Sequence, residues 1–163
     1  MNITHARVDD RLIHGQITTV WSKHLNVGRI IVIDDKVSQD VLRKTLLEQA
    51  APPGINVHVL PVDRFLKIYA NPKYSKDRVL LIFENIHTAG ECIEKGVDIK
   101  SLNLGGVSSN RQRRKVMNHI AVTEDEANVL RKLAEQGIEL DSRVVVTDRP
   151  EDLLGIINKI DFK

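Results

Sequence analysis

Hydrophobic and polar positions follow two rhythms along this chain. Short apolar or β-branched runs at residues 3–8, 29–33, 56–60, 79–83, 102–104, 119–122 and 143–146 read as strands. Three of them, Ile30-Ile31-Val32-Ile33, Val79-Leu80-Leu81-Ile82-Phe83 and Val144-Val145-Val146, are apolar throughout, the pattern of strands covered on both faces. Between the strands apolar residues recur every three or four positions. Residues 15–25, 63–70, 88–95 and 150–157 read as helices, and Ser38 precedes a stripe of Val41, Leu42, Leu46 and Leu47 that Pro52-Pro53-Gly54 stops. Thr123-Glu124-Asp125-Glu126 has the form of a capping box, and Gly137 ends the helix it starts. The alternation predicts an α/β fold in a single domain over residues 1–163. The expected architecture is an open, mostly parallel twisted sheet of about seven strands, one of them antiparallel, with helices on both faces. No helical pattern fills the gap between Leu104 and His119, so an antiparallel or irregular step is expected there.

Composition narrows the class. Apolar residues make up 42% of the 163 positions, enough for a core, and no linker, repeat or low-complexity tract divides them. Twenty-four basic against 22 acidic residues leave a net charge of +2, which excludes a strongly basic nucleic-acid coat protein. The single cysteine, Cys92, excludes an internal disulfide framework and a thiolate metal cluster from one chain. The apolar runs are far too short for a membrane span and no signal-peptide pattern opens the chain, so a cytoplasmic protein is expected.

In open parallel sheets, ligands bind beyond the carboxyl ends of the strands, so chemistry is sought in the loop after each strand. Asp34-Asp35 comes after the second strand, Glu84-Asn85 after the fourth, Gly105-Gly106-Val107-Ser108-Ser109 after the fifth and Thr147-Asp148 after the last. The loop after the first, Asp9-Asp10-Arg11-Leu12-Ile13-His14-Gly15-Gln16, is the richest. His14 closes it just before a helix start, where free N–H groups favour an anion. Arg11 offers a planar, bidentate charge for phosphate oxygens. Asp9 or Asp10 can accept a hydrogen bond from one imidazole nitrogen and leave the other to attack. Gly15 removes bulk where an anion approaches the backbone, with Gln16 beside it. These are the parts of a histidine that receives and passes on a phosphoryl group.

The stretch Ala6-Arg7-Val8-Asp9-Asp10-Arg11-Leu12-Ile13-His14-Gly15-Gln16 resembles the signature of the IIB components of the bacterial phosphoenolpyruvate-dependent sugar phosphotransferase system, in the mannose/fructose/sorbose branch that includes N-acetylgalactosamine transporters. Ile33-Asp34-Asp35, Ala50-Ala51-Pro52-Pro53-Gly54, Leu102-Asn103-Leu104-Gly105-Gly106 and Gly137-Ile138-Glu139-Leu140 carry the likeness over essentially the whole chain. The resemblance implies that a phosphorylated IIA protein or domain passes its phosphoryl group to Nδ1 of His14, with Arg11 neutralising the group in flight. It implies onward transfer to a sugar carried inward by membrane IIC and IID components, with the IIB chain peripherally associated with that transporter. No cofactor is expected, and His5, His24, His58, His87 and His119 show no metal-ligand spacing, so no metal is expected. Asp34, Gly105 and Gly106 are expected to line the pocket or dock the partner. Arg113 and Arg114, in the basic run Arg111-Gln112-Arg113-Arg114-Lys115, are expected to dock an acidic phosphorylated partner. Cys92 lies inside a helical stretch with no basic neighbour to activate it and is expected to be inert, although other IIB families use cysteine. Two rival readings use the same residues: a non-enzymatic anion- or nucleotide-binding regulatory domain with His14 lining its pocket, and an RNA-binding module built on the basic run. With 4% aromatics and no stacking motif, nucleic acid is not an expected partner.

Overall fold

A computed structural model describes residues 1–163 apart from the side chains of Gln16 and Thr19. The strands in chain order are β1 (Asn2–Asp9), β2 (Arg29–Ile33), β3 (Asn56–Leu60), β4 (Arg78–Phe83), β5 (Ser101–Gly106), β6 (Arg114–Met117), β7 (Ile120–Val122) and β8 (Glu139–Asp141). Among the described residues, six of them form one sheet in the order β3-β2-β4-β1-β5-β8, and β6 and β7 form a separate pair. Every pairing in the large sheet is parallel, so each connection must cross over it, and the helices supply the crossovers.

A π-helical turn (Gln16–Trp21) runs into α1 (Ser22–Leu25); then come α2 (Asp35–Gln39), α3 (Val41–Gln49), α4 (Val62–Tyr69), α5 (Ile86–Glu94), α6 (Glu124–Glu135) and α7 (Leu153–Asn158). Short polar side chains start most of them. Asp34, Asp40, Asn85 and Asp152 each accept a backbone N–H of the first turn, and Thr123 with Glu126 forms the expected capping box. Gly137, at φ +85°, takes the left-handed position that lets the chain turn after α6.

The period-two alternation of the strands divides the core into two layers. Ala6, Val8, Ile31, Ile33, Leu81, Phe83, Leu102 and Leu104 face α4 to α7, where Phe65, Ile86, Ala89, Leu130 and Leu133 meet them. Ile30, Val32, Val57, Val59, Leu80 and Ile82 face the other way, onto Leu12, Ile17, Trp21 and Val37. On that second face β1 contributes His5, Arg7 and Asp9, a polar row in the interior of the sheet. The chain leaves β1 toward β2 and leaves β5 toward β8, although β1 and β5 are neighbours. Their carboxyl ends therefore open a crevice at the point where the winding reverses.

Three expectations are corrected. Residues 143–146 are not a strand: Val144 and Val145 N–H both donate to Asp148 Oδ2, and the Val144 carbonyl accepts from side chains, so no ladder is available. Glu139–Asp141 pairs with β5 in its place. The antiparallel step begins in the gap after Leu104, as expected, but lies outside the large sheet, in β6 and β7, and the polar residues of β6 hid its first strand. The apolar stripe of α3 points outward, with Val41, Leu42 and Leu46 78%, 70% and 58% exposed. Asp40, not Ser38, caps that helix, and Arg43 reaches Glu84 at 3.4 Å, which turns the face of Arg43 and Leu47 inward.

Close contact between α5 and α6 gives a stability prediction. A Cβ added at Gly90 would sit 2.8 Å from Val129 Cγ1. Helix propensity favours Gly90→Ala by roughly 0.5–1 kcal/mol, but overpacking costs about 1–3 kcal/mol. Net destabilisation is expected, read as a lower urea midpoint; a raised midpoint would mean the two helices separate freely.

Candidate functional site

The site begins with a backbone turn that needs an unusual residue. Leu12 adopts φ +59° and is buried, its side chain sunk in the layer with Ile17 and Trp21. Its N–H donates to the Asp9 carbonyl at 2.9 Å, closing the turn and folding His14 back over the end of β1. His14 Nε2 then lies 2.8 Å from Asp9 Oδ2; the imidazole is 19% exposed and the carboxylate fully buried.

Asp9 is the hub. Oδ2 accepts from Arg7 Nη2 at 2.9 Å, Arg11 Nη2 at 3.0 Å and His14 Nε2; Oδ1 accepts from the Arg11 N–H at 3.1 Å and Arg11 Nε at 3.0 Å. Burial pushes this carboxyl up, but hydrogen bonds from Arg11 and His14 and the charge of Arg7 outweigh it and hold it below the ordinary carboxylate range. An ionised carboxylate only accepts, so Nε2 of His14 carries the proton, and in the neutral ring the lone pair belongs to Nδ1.

The two aspartates left open by the sequence have different jobs. Asp9 meets the imidazole, whereas Asp10 Oδ2 accepts the Ser108 N–H at 2.8 Å and ties the β1 loop to the loop after β5. Arg11 is 49% exposed, and hydrogen bonding to Asp9 raises its pKa, so it stays charged at the mouth of an open cleft of about 420 Å³. Asp10, Gly106, Ser108, Lys115 and His119 also line that cleft. Gly15 starts the helical turn with no protein atom near where a Cβ would be, so the protein itself does not demand a glycine. The side chain of Gln16 lies outside the described residues.

Other candidates have structural duties. Asp34 caps α2 through the Val37 N–H at 2.9 Å, just past the end of β2, a strand separated from β1 by β4. Arg113 is committed to Glu126 Oε1 and the Ser108 carbonyl, both at 2.9 Å, and bolts the β5–β6 loop to α6. Arg114 is exposed and reaches the Lys163 carbonyl at 3.4 Å. Gly105 and Gly106 serve side chains rather than a turn. A Cβ at Gly105 would fall 1.9 Å from Arg7 Cζ, and one at Gly106 would fall 3.0 Å from Asp9 Oδ1. Cys92 is buried in α5, and burial pushes its thiol up to about 12.

Arg7, Asn103 and Asp141 belong to the site yet do not stand out in the sequence. The available signal is polarity at positions flanked by buried apolar residues: Arg7 between Ala6 and Val8, and Asn103 between Leu102 and Leu104. His5, two residues before Arg7, stacks on Trp21 with ring centroids 4.2 Å apart. Burial, aided by the nearby charge of Arg7, lowers its pKa from 6.5 to about 4. Above pH 6.5 His5 is neutral whether the chain is folded or not; below it the unfolded chain takes up a proton that the folded one resists until about 4. Stability is therefore expected to fall as pH drops through this window, by on the order of 3 kcal/mol. His5→Gln should flatten that slope in urea titrations; an unchanged slope would assign the acid sensitivity elsewhere.

With this geometry in view, known proteins give the chain its relations. The family model for the PTS system sorbose subfamily IIB component matches residues 3–163. The mannose-specific EIIAB component of Escherichia coli K12 is 45% identical over 161 residues, which are 99% of this chain; the chain spans only 50% of that relative. The sorbose-specific EIIB component of Lacticaseibacillus casei is 41% identical over 160 residues, 98% of each protein. The crystal structure of the IIBSor domain of the Klebsiella pneumoniae sorbose permease superposes with a TM-score of 0.95 at 40% identity, covering 100% of both chains. A parallel sheet whose winding reverses beside a buried aspartate that meets a partly exposed histidine, in a sequence matched almost end to end by one family, leads to a single assignment: this chain belongs to the sorbose subfamily of IIB components of the phosphotransferase system.

Proposed function

We propose that the chain is a phosphocarrier that accepts a phosphoryl group on Nδ1 of His14 and hands it to a sugar of the mannose, fructose, sorbose or N-acetylgalactosamine class. The donor is a phosphorylated IIA protein or domain, and the sugar is delivered by membrane IIC and IID components that this chain joins from the cytoplasmic side. The observation that carries the reading is the 2.8 Å contact between His14 Nε2 and the buried carboxylate of Asp9.

The contact suits the chemistry. As Nδ1 bonds to phosphorus, the bond from phosphorus to the donor's nitrogen breaks, and the electron pair returns to that donor. The His14 ring, already protonated at Nε2, becomes cationic, and the Asp9 carboxylate beside it stabilises that charge without taking the proton. Arg11 carries a bidentate fork next to the cleft and is exposed enough to turn toward phosphoryl oxygens. Little acid–base work is required; alignment and charge dominate such transfers. A IIA donor is supported by the relative from Escherichia coli K12, which is named an EIIAB component.

The test is covalent loading. With phosphoenolpyruvate, the general phosphotransferase proteins and a matching IIA, the chain is expected to take one phosphate, acid-labile and base-stable as a phosphohistidine is. Reversible phosphate or nucleotide binding without a covalent label would point to a regulatory anion-binding domain in its place.

A further inference from the structure

We propose that Arg7 is a positioning residue that fixes Asp9, and through it the tautomer of His14, while Arg11 remains the arginine able to move; the catalytic meaning of this division rests on the phosphocarrier reading. The two guanidiniums share one carboxylate but differ in exposure, Arg7 at 0% and Arg11 at 49%. Arg7 is held on every side. Its Nε and Nη2 donate to Asp9 Oδ2 at 3.2 and 2.9 Å, and its Nη1 donates to Asn103 Oδ1 at 2.9 Å and to the Val144 carbonyl at 3.0 Å. Asn103 is oriented in turn, because its Nδ2 donates to Asp141 Oδ2 at 3.2 Å and to the Arg143 carbonyl at 2.8 Å. Trp21 Nε1 donates to the same Val144 carbonyl at 2.9 Å, and the indole lies 5.6 Å from Arg7 Cζ. The chain β1–β5–β8 thus clamps one end of the carboxylate from below, while His14 and Arg11 meet it from the loop.

A buried guanidinium is an expensive way to fill a strand position that a leucine would fill better, since desolvating a charge opposes folding. The arrangement has a use at the reacting end. When Arg11 swings toward a phosphoryl group it gives up its bonds to Asp9, and the carboxylate would be free to rotate away from Nε2. Arg7 cannot swing, and it keeps Oδ2 aimed at His14 throughout. Glycine at position 105 is required for this, because any side chain there would occupy the guanidinium's place.

The test uses Arg7→Lys, Asn103→Ala and Gly105→Ala, none of which alters His14, Asp9 or Arg11. The ¹⁵N spectrum of His14 in the unphosphorylated protein at alkaline pH reads the tautomer directly and does not depend on any partner. The wild type is expected to show the Nε2–H form, and each variant that keeps its fold is expected to show a mixture with Nδ1–H. Single-turnover loading from phosphorylated IIA should slow by about tenfold or more in step with the lost Nε2–H fraction. Arg7→Lys, which keeps a charge, should be the mildest. Wild-type tautomer and rate in folded Asn103→Ala and Arg7→Lys would overturn the proposal. So would slow loading with an unchanged tautomer, the signature of a merely structural role. A wild-type protein that shows the tautomer but takes no label would count against the phosphocarrier reading alone.

Discussion

Replacing His14 with alanine is expected to reduce phosphate loading to background while leaving the fold intact. On the proposed reading the imidazole is the attacking group, and the described neighbourhood offers no ready substitute. His119 Nε2 is engaged with the Ser142 carbonyl at 2.6 Å, and the Cys92 thiol is buried and pushed up to about 12. Stability should change little, within about 0.5–1 kcal/mol, because the ring is partly exposed and Asp9 keeps the donors of Arg7 and Arg11. A melt and a labelling assay on the same preparation separate the two effects. Full labelling of the alanine variant would falsify the assignment of His14 and pass the role to another residue.

Asp9→Ala is expected to produce a large loss of stability. It strips the fully buried Arg7 of its counter-ion and two of its hydrogen bonds at once. Breaking a buried pair by removing one partner typically costs about 3–5 kcal/mol, out of a total that is commonly ~5–15 kcal/mol. The urea midpoint should drop accordingly. Combining Asp9→Ala with Arg7→Met should recover much of the loss, because the charge left stranded is then gone as well. If the single substitution lowers stability by less than about 1 kcal/mol, Arg7 has found solvent or another partner and the buried-pair account fails. Either variant should load phosphate poorly, since neither retains the carboxylate that orients the imidazole.

The legible part of this protein comes from short-range physics. The apolar run from Val79 to Phe83 has the length and β-branched character of a strand sealed on both faces, and Thr123 with Glu126 has the form of a helix start; both are found as such. The rule that sites lie at strand ends singled out the loop of Asp9, Arg11 and His14. Illegible were features decided by distant partners. The valines at 144–146 have strand character, but Asp148 and the side chains of Arg7 and Trp21 claim their backbone groups first. Arg113 looks like a surface charge until Glu126 is found 2.9 Å away. The stripe on α3 has the right period but is rotated outward by an ion pair with Glu84. The identity of the orienting aspartate depended on the left-handed turn at Leu12, a backbone state that a leucine does not advertise.

The clasp between Arg7 and the Val144 carbonyl joins residues 137 positions apart. During synthesis the strand that bears Arg7 is therefore made well before the carbonyl that steadies it. On the proposed reading, a growing chain carries its nucleophile long before it can aim it, and loading is expected only once synthesis has passed β8 and contacts of such long span have closed.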